Sequence, residues 1–571
     1  MQSGPDVQNG DRPQIAHEAC SLGPVPILHV RPGKLHIKEE YMGYVISYDV
    51  GTTGVKTCLF SIGEKVELVD GAYGSYKLYI LDNGGAEQDG DEWWKAMCDS
   101  TKTLLEKTGI DSGEIFGISF CSQMQGLVLV DKEGNLLRRP MSYMDQRAEE
   151  VMAKYAGAGP RVAGLSIPKL IKALRATTAA PTSAKDPIWK YRWVKEYEPE
   201  IYKNIYKWLD VKEYLILRCT GEFVMTKDSA YATFLYDTRD GKWEWNQGLC
   251  KAFGVDKNHL PKVIECTDKA GSLTDKAAAE LGLKAGTPVF GGGGDATLIG
   301  VGAGCVKPGE THIYSGTSGW VSTVTSKQIV DIVSMIAATV GAKKGIFNYF
   351  AEMETAGKCF EWVKEHLALD EIGIYLKKQH VAECTESTYI SLYDYLSDTI
   401  KNCPPGSNGV IFTPWLHGNR CPFEDPDAAG IFFNIKIETG KTEMIRAVLE
   451  GICFHLRWML ECEDKKVETS KTIRFVGGGA LSEVTCQILA DITGRTIETV
   501  EDSQDVGAVG AAMIAGVGLG IVDSIDNVRH YIKVKNTFKP NPDNKAIYDK
   551  NYAVFRKLHG ANKKLFSEMN D

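Results

Sequence analysis

The 571-residue sequence predicts an α/β protein built from two related halves. Two observations carry this reading. Strand-like apolar runs alternate with helix-like amphipathic runs along most of the chain, and an unusual glycine hairpin occurs twice. In the first copy, "YDVGTTGVK" (48–56), Gly51, Thr52, Thr53 and Gly54 separate the apolar run Tyr44, Val45, Ile46 from "TCLF", with Asp49 at the strand end. In the second, "IYSGTSGWVSTV" (313–324), Gly316, Thr317, Ser318 and Gly319 again lie between apolar strands. A tight hairpin needs only one residue pair that tolerates positive φ. Two hydroxyls between two glycines exceed that need. Thr52 and Thr317 are 265 positions apart, which points to a duplicated architecture.

The elements follow in order. Residues 1–42 read as a polar extension, with five prolines in the first forty residues and no continuous apolar segment. The stretch "GISFCSQMQGLVLVD" (117–131) reads as strand, turn and strand, and "DPIWKYRWVKEYEPEIYKNI" (186–205) as a Trp/Tyr-rich helix. "MIRAVLEGICFHLRWMLE" (444–461) places Ile445, Val448, Leu449, Ile452, Leu456 and Met459 on one helical face. "CEDKKVETSK" (462–471) reads as an exposed loop, and "IRFVGGGALSEVTCQILADITG" (473–494) as strand, glycine turn and amphipathic helix. The expected organisation is an extension (1–42), a first domain (43–303), a second domain (304–530) and a C-terminal tail or helix (531–571).

Composition narrows the class. Apolar content of 43% and charged content of 24% are those of an ordinary globular protein. A net charge of −9 with no basic stripe argues against nucleic acid as a partner. Fifteen cysteines without a C-x-x-C pair argue against a zinc site or disulfide framework and for a reducing compartment. The uncharged run 506–522 carries five glycines and is short for a membrane span. A cytoplasmic protein without a signal peptide is expected, with a small-molecule partner, acting alone or as a homodimer.

The glycine sites carry the chemistry. Hairpins of this kind present backbone N–H groups and hydroxyls to an anion, so two of them suit a polyphosphate held between two lobes. Asp49 is suited to hold a hydrated Mg²⁺, which prefers carboxylates, waters and phosphate oxygens. In "VFGGGGDATLIGVGAG" (289–304), Asp295 follows four glycines. It reads either as a helix N-cap or as a general base at the lobe interface. Gly477-Gly478-Gly479 lacks the G-x-G-x-x-G spacing of a dinucleotide fingerprint and better suits an adenine lying on backbone. Lys56 either reaches the phosphates or is a solvated strand residue. Trp189, Tyr191, Trp193 and Tyr197 read as core or interface aromatics, and His417 and His455 as structural.

The order D-x-G-T-T, Q-M-x-G, D-x-R, P-x-x-K-Y-x-W-V, G-G-G-D-A, S-G-T-S-G, G-x-R-x-P and G-G-G-A-x-S-E resembles the FGGY carbohydrate kinases, on their xylulokinase side, over about residues 44–525. The resemblance implies two ribonuclease-H-like domains of the actin and hexokinase type, with ATP and sugar in the cleft between them. It makes Asp295 the catalytic base and Asp49 the acid that holds Mg²⁺ through water. Gly51, Thr52, Thr53 and Lys56 then fall at the first phosphate loop, Gly316 and Thr317 at the second, and Gly478 and Gly479 at the adenosine. The sugar side comprises Gln123, Met124, Gln125, Asp145 and Arg147.

The departures concentrate at the sugar. Gln125 stands where xylulokinases carry His, Tyr143 where they carry Trp, and "GNRCP" (418–422) replaces G-E-R-T-P. The implied reaction is transfer of the ATP γ-phosphate to a hydroxyl of a pentulose, xylulose first. Glycerol, erythritol and ribulose kinases stay open, as does an actin- or chaperone-like ATPase switch. Gln123 and Gln125, two apart at a strand end, are expected to point to one side and bracket sugar hydroxyls.

Overall fold

The computed structural model describes residues 43–367 and 392–570; the expected extension 1–42 lies outside the described residues. The first half is a mixed sheet. Its strands are β1 (Gly43–Val50), β2 (Gly54–Ile62), β3 (Val66–Ser75), β4 (Ile115–Ser122), β5 (Lys269–Ser272), β6 (Pro288–Phe290) and β7 (Gly293–Gly294). They lie in the order β5-β6-β4-β1-β2-β3, with β7 beside β4. Helices α1 (Gly90–Thr108), α2 (Pro187–Tyr197), α3 (Val211–Thr220), α4 (Lys227–Ala232) and α5 (Asp295–Gly302) belong to this half. β1 is buried along nearly its whole length, which is why it reads as one apolar run, whereas edge strand β3 alternates in exposure.

The second half repeats the plan. Its strands are β8 (Thr311–Ser315), β9 (Gly319–Thr325), β10 (Val330–Asp331), β11 (Ile336–Val340), β12 (Phe347–Met353), β13 (Thr472–Val476), β14 (Thr496–Val500) and β15 (Val534–Phe538). The order is β10-β11-β12-β9-β8-β13-β14-β15. Its helices include α6 (Gly357–His366), α7 (Lys441–Glu463), α8 (Glu483–Thr493), α9 (Val506–Gly518) and α10 (Lys545–Asn570). In each half an antiparallel triplet (β3-β2-β1 and β12-β9-β8) continues into parallel strands, β4 and β6 in one case, β13 and β14 in the other. This is the ribonuclease-H-like duplication that the two hairpins announced.

Several expectations change. The helix expected over 186–205 is two, Pro187–Tyr197 and Pro199–Asn204; the residue before a proline is pushed out of the helical region, and Glu198 sits at ψ 59°. The stretch 462–471 is not wholly a loop, because α7 runs on through Cys462 and Glu463, both buried. Of the two alternatives for 531–571, tail or helix, the helix holds, preceded by a strand. β15 pairs with β14, and α10 buries Tyr548, Tyr552, Phe555 and Leu558 in the core of the second half. Trp189 and Tyr191 are core residues as expected, but Tyr197 is exposed and stacks on Trp193. His455 is structural: it accepts from Trp415 and lies 2.7 Å from the Cys421 carbonyl.

The halves meet where α5 crosses α9. A Cβ at Gly302 would lie 1.9 Å from the Val506 carbonyl oxygen, and one at Gly510 would lie 2.1 Å from that of Leu298. The two backbones are therefore in direct contact, which only glycine permits. α9 is apolar all round and buried from Val506 to Gly516, as a helix packed between α5 and the first sheet must be.

Candidate active site

Strand register places both acids at one sheet edge. β1 and β4 run parallel with Asp49 opposite Cys121, and β7 pairs with β4 with Gly293 opposite Cys121. Asp295 begins α5 two residues after Gly293. Asp49 and Asp295 thus flank the carboxyl end of β4, one from the strand on each side, where open α/β sheets bind ligands. The second sheet repeats this: Tyr314 of β8 pairs with Val476 of β13, which brings the loop at Gly316 and Thr317 beside Gly477.

Both acids are half-buried. Burial pushes the Asp295 carboxyl up to about 7; the Ala296 N–H bond opposes this, and the carboxylates of Asp49, Glu352 and Asp210 add to it. Burial also raises Asp49, against the pull of Lys56 and the Cys121 thiol. A carboxylate with a pKa near neutrality is suited to proton transfer.

The hairpin loops are braced from behind. The Tyr76 hydroxyl donates to the carbonyls of Gly51 (2.6 Å) and Gly54 (2.9 Å), and Gln88 donates to that of Thr52 (2.6 Å). In the second loop the carbonyls of Gly316 and Thr317 accept from N–H groups at the start of α6, Gly357 (2.8 Å) and Lys358 (3.2 Å). The N–H groups of Thr52, Thr53, Thr317 and Ser318 have no protein acceptor among the described residues. Thr53 and Thr317 are exposed. Each loop therefore turns its carbonyls inward and leaves donors outward, as an anion requires. Lys56, in contrast, is bound within the protein: its ammonium sits 2.8 Å from Asp505 and donates to the Gln504 carbonyl at 3.1 Å. It bridges the halves rather than standing as a solvated strand lysine.

The sugar-side residues divide. Strand β4 ends at Ser122, and Gln125 takes φ +64°, so Gln123 and Gln125 do not share a strand face. Gln123 is buried, donates to Gln88 at 3.0 Å, and leaves its Oε1 without a protein donor. Gln125 is half-buried, and its backbone is tied at both ends: its N–H donates to Asp210 (2.8 Å), and its carbonyl accepts from Lys190 (2.8 Å). Met124 packs on the base turn, since a Cβ at Gly294 would lie 1.9 Å from its sulfur. Asp145 and Arg147 are turned inward. Asp145 is fully buried and binds Arg147 (2.7 Å) and the Ala86 N–H (2.9 Å), while Arg147 also pairs with Glu87. They brace the wall of the site from inside the protein.

Sequence reasoning missed Lys190. It is wholly buried, bridges the carbonyls of Gln125 and Ser142, and thereby holds the turn in place. It stands in the P-x-x-K-Y-x-W-V motif, a lysine within an otherwise apolar and aromatic helix, and that contrast was the available signal.

Gly478 and Gly479 also separate. A Cβ at Gly479 would lie 2.9 Å from the Ser315 side chain and 3.0 Å from Phe475, so this glycine serves packing. At Gly478, which is exposed, the nearest atom would be 4.0 Å away.

Two family models match the chain: the N-terminal domain of the FGGY family of carbohydrate kinases over residues 44–302 and its C-terminal domain over 312–519. The chain belongs to the FGGY family of carbohydrate kinases. It is similar to the xylulose kinase of Lactococcus lactis subsp. lactis (30% identity, 91% of this chain, 97% of the relative). It is also similar to the gluconokinase of Bacillus subtilis (27% identity, 90% and 95%). Among solved structures, the ligand-bound xylulose kinase from Lactobacillus acidophilus superposes with a TM-score of 0.78 at 26% identity, covering 92% of this chain and 99% of that one. This FGGY kinase is thus an ATP-dependent phosphotransferase acting on a small sugar. No described helix is long and apolar enough to cross a membrane.

Proposed function

We propose that this kinase transfers the γ-phosphate of ATP to a hydroxyl of a neutral ketose, D-xylulose first, with Asp295 as general base. The observation that carries the reading is the half-buried, unpaired Asp295 with its pKa near 7, at the end of the same sheet as the first phosphate loop. Phosphoryl transfer needs positioning and charge neutralisation more than covalent help. Asp295 accepts the proton of the sugar hydroxyl as that oxygen attacks in line. The outward donors of the loops at Thr52, Thr53, Thr317 and Ser318 stabilise charge on the phosphate oxygens.

The donor set suits Mg²⁺ held through water. Asp49 is a carboxylate raised by burial, and no cluster of three or more metal-ligating side chains occurs among the described residues. A single carboxylate beside phosphate oxygens matches the coordination this ion prefers. Bound there, Mg²⁺ would neutralise phosphate charge.

A neutral sugar is favoured over gluconate by the chemistry of the wall. Gln88, Gln123 and Gln125 are amides, and the Tyr143 hydroxyl lies 3.3 Å from that of Thr52. The nearby cations Lys190 and Arg147 are buried and bound to protein oxygens. The accessible polar groups of this wall, Thr52 and Tyr143 among them, are neutral hydroxyls that exchange hydrogen bonds with a sugar hydroxyl. Comparing kcat/KM for D-xylulose, D-ribulose, glycerol and gluconate tests this: a ketose should lead, and preference for gluconate would overturn it.

Because the backbone of Gln125 is held at both ends, its side chain can change without loss of the turn. Gln125→Ala should raise KM for the sugar roughly 10-fold and leave KM for ATP unchanged, because a hydroxyl loses its partner. Gln125→His should shift preference toward D-xylulose if another sugar leads. An unchanged ranking in both variants would remove Gln125 from sugar recognition.

The adenine is assigned to the open face of Gly478. Gly478→Val should weaken ATP binding at least about 10-fold by calorimetry and leave sugar binding intact, since the new side chain fills space rather than protein. Unchanged ATP affinity would place the adenine elsewhere.

A further inference from the structure

Behind the proposed base lies a set of buried charges that the reaction itself does not use. Lys212 and Glu213, on α3, are both wholly buried and paired with one another. Lys212 also donates to the Thr226 hydroxyl at 2.7 Å and to that of Ser229. Thr226 in turn donates to Oδ1 of Asp228, which is 2% exposed. The other oxygen, Oδ2, accepts the Gly294 N–H at 2.7 Å. Gly294 immediately precedes Asp295.

That bond falls where the chain has little else to define it. β7 is two residues long, and α5 starts without a side-chain cap because Gly294 is its N-cap residue. Met124 presses on Gly294 from one side, and a Cβ at Gly293 would lie 3.1 Å from Asp228 Oδ2 on another. A buried carboxylate is costly unless it is paired. Lys212 offsets part of that cost: it pairs with Glu213 and reaches Asp228 through the Thr226 hydroxyl, and these carboxylates outweigh its burial and hold its pKa above the usual lysine value. The chain has therefore placed an ion cluster behind one backbone N–H, one residue from the proposed base.

We propose that Asp228, linked to Lys212 through the Thr226 hydroxyl, is a positioning residue that fixes the backbone from which Asp295 projects and so aims the base at the sugar hydroxyl. This rests on the reading of Asp295 as the base. It adds a residue that touches neither sugar nor nucleotide.

The test is a double-mutant cycle on the full chain, in a phosphate-transfer assay sensitive enough for residual turnover. Misplacing a catalytic group by about 1 Å costs on the order of 10²-fold, so Asp228→Ala should lower kcat roughly 10- to 100-fold with KM for ATP within about twofold. Groups that act through one another are non-additive. On the Asp295→Asn background, Asp228→Ala should therefore cost less than about threefold. Asp228→Asn, which keeps an acceptor, should retain more activity than Asp228→Ala and serves if the latter does not fold. The same loss on both backgrounds, or a rise in KM for ATP matching the loss in kcat, would overturn the proposal and leave Asp228 a role in folding alone. Near-normal turnover of Asp295→Asn by itself would instead remove the base, a separate failure visible in the same cycle.

Discussion

Asp295→Asn should lower kcat by roughly 10²–10⁴-fold, the usual contribution of a positioned base, with KM for ATP little changed. The amide keeps the size and one acceptor oxygen but cannot take the proton of the attacking hydroxyl. The wild-type pH profile should report the same group. Because only the ionised carboxylate accepts a proton, kcat/KM for the sugar should fall as pH drops below about 7 and level off above it. The variant should lack that limb. Stability should move the opposite way. The folded carboxyl, raised to about 7, binds more protons than the unfolded one between their two pKa values, so stability declines as pH rises through that window. Asp295→Asn removes this penalty. It should melt at a higher temperature than wild type at pH 8, with the gap closing toward pH 4. Equal melting temperatures at pH 8 would mean that Asp295 is not held at a cost.

Gly510→Val should be the most damaging substitution away from the reacting groups. Its Cβ would lie 2.1 Å from the Leu298 carbonyl oxygen, and a backbone atom in a packed helix cannot move aside as a side chain can. The α5–α9 crossing would have to open. Overpacking of this kind typically costs about 1–3 kcal/mol, and more where backbone is displaced. The effect should not stop at stability. α5 begins with Asp295, and the start of α9 lies against Asp49: a Cβ at Gly507 would be 3.0 Å from its Oδ2. Spreading the helices alters the spacing of the two acids, so any folded fraction should lose turnover. Denaturant unfolding alongside kcat measures both; a variant with wild-type midpoint and turnover would show that the crossing is not tight.

What was legible in the sequence was local. Asp49 and Asp295 each follow or precede a glycine cluster within a few residues, and the hairpins at Thr52 and Thr317 announce their own duplication. The two acids could be named from sequence, but their adjacency could not, since it depends on β1 and β7 pairing with the same strand β4. The sugar wall was read less well. Treating the turn at Gln125 as strand gave the wrong side-chain directions, because nothing local announced its positive φ. Asp145 and Arg147 were placed at the sugar by the D-x-R motif of the resemblance. Their neighbours Ala86 and Glu87, about sixty residues earlier in the chain, turn them inward. Asp210 and Asp228 were missed because the N–H groups they bind lie 84–85 and 66 residues away. The one available signal was the pair Lys212-Glu213 within the apolar helix of Val211, Tyr214, Leu215, Ile216 and Leu217, where charges are rarely buried unless paired.

The most direct measurement is ADP formation by the wild-type kinase with and without D-xylulose, with the phosphorylated product identified by mass spectrometry. Transfer to a sugar hydroxyl requires that ADP release rise many-fold on adding the sugar and match sugar phosphate one for one. ADP release that is the same without sugar, with inorganic phosphate as the product, would contradict it and make the cleft a nucleotide switch.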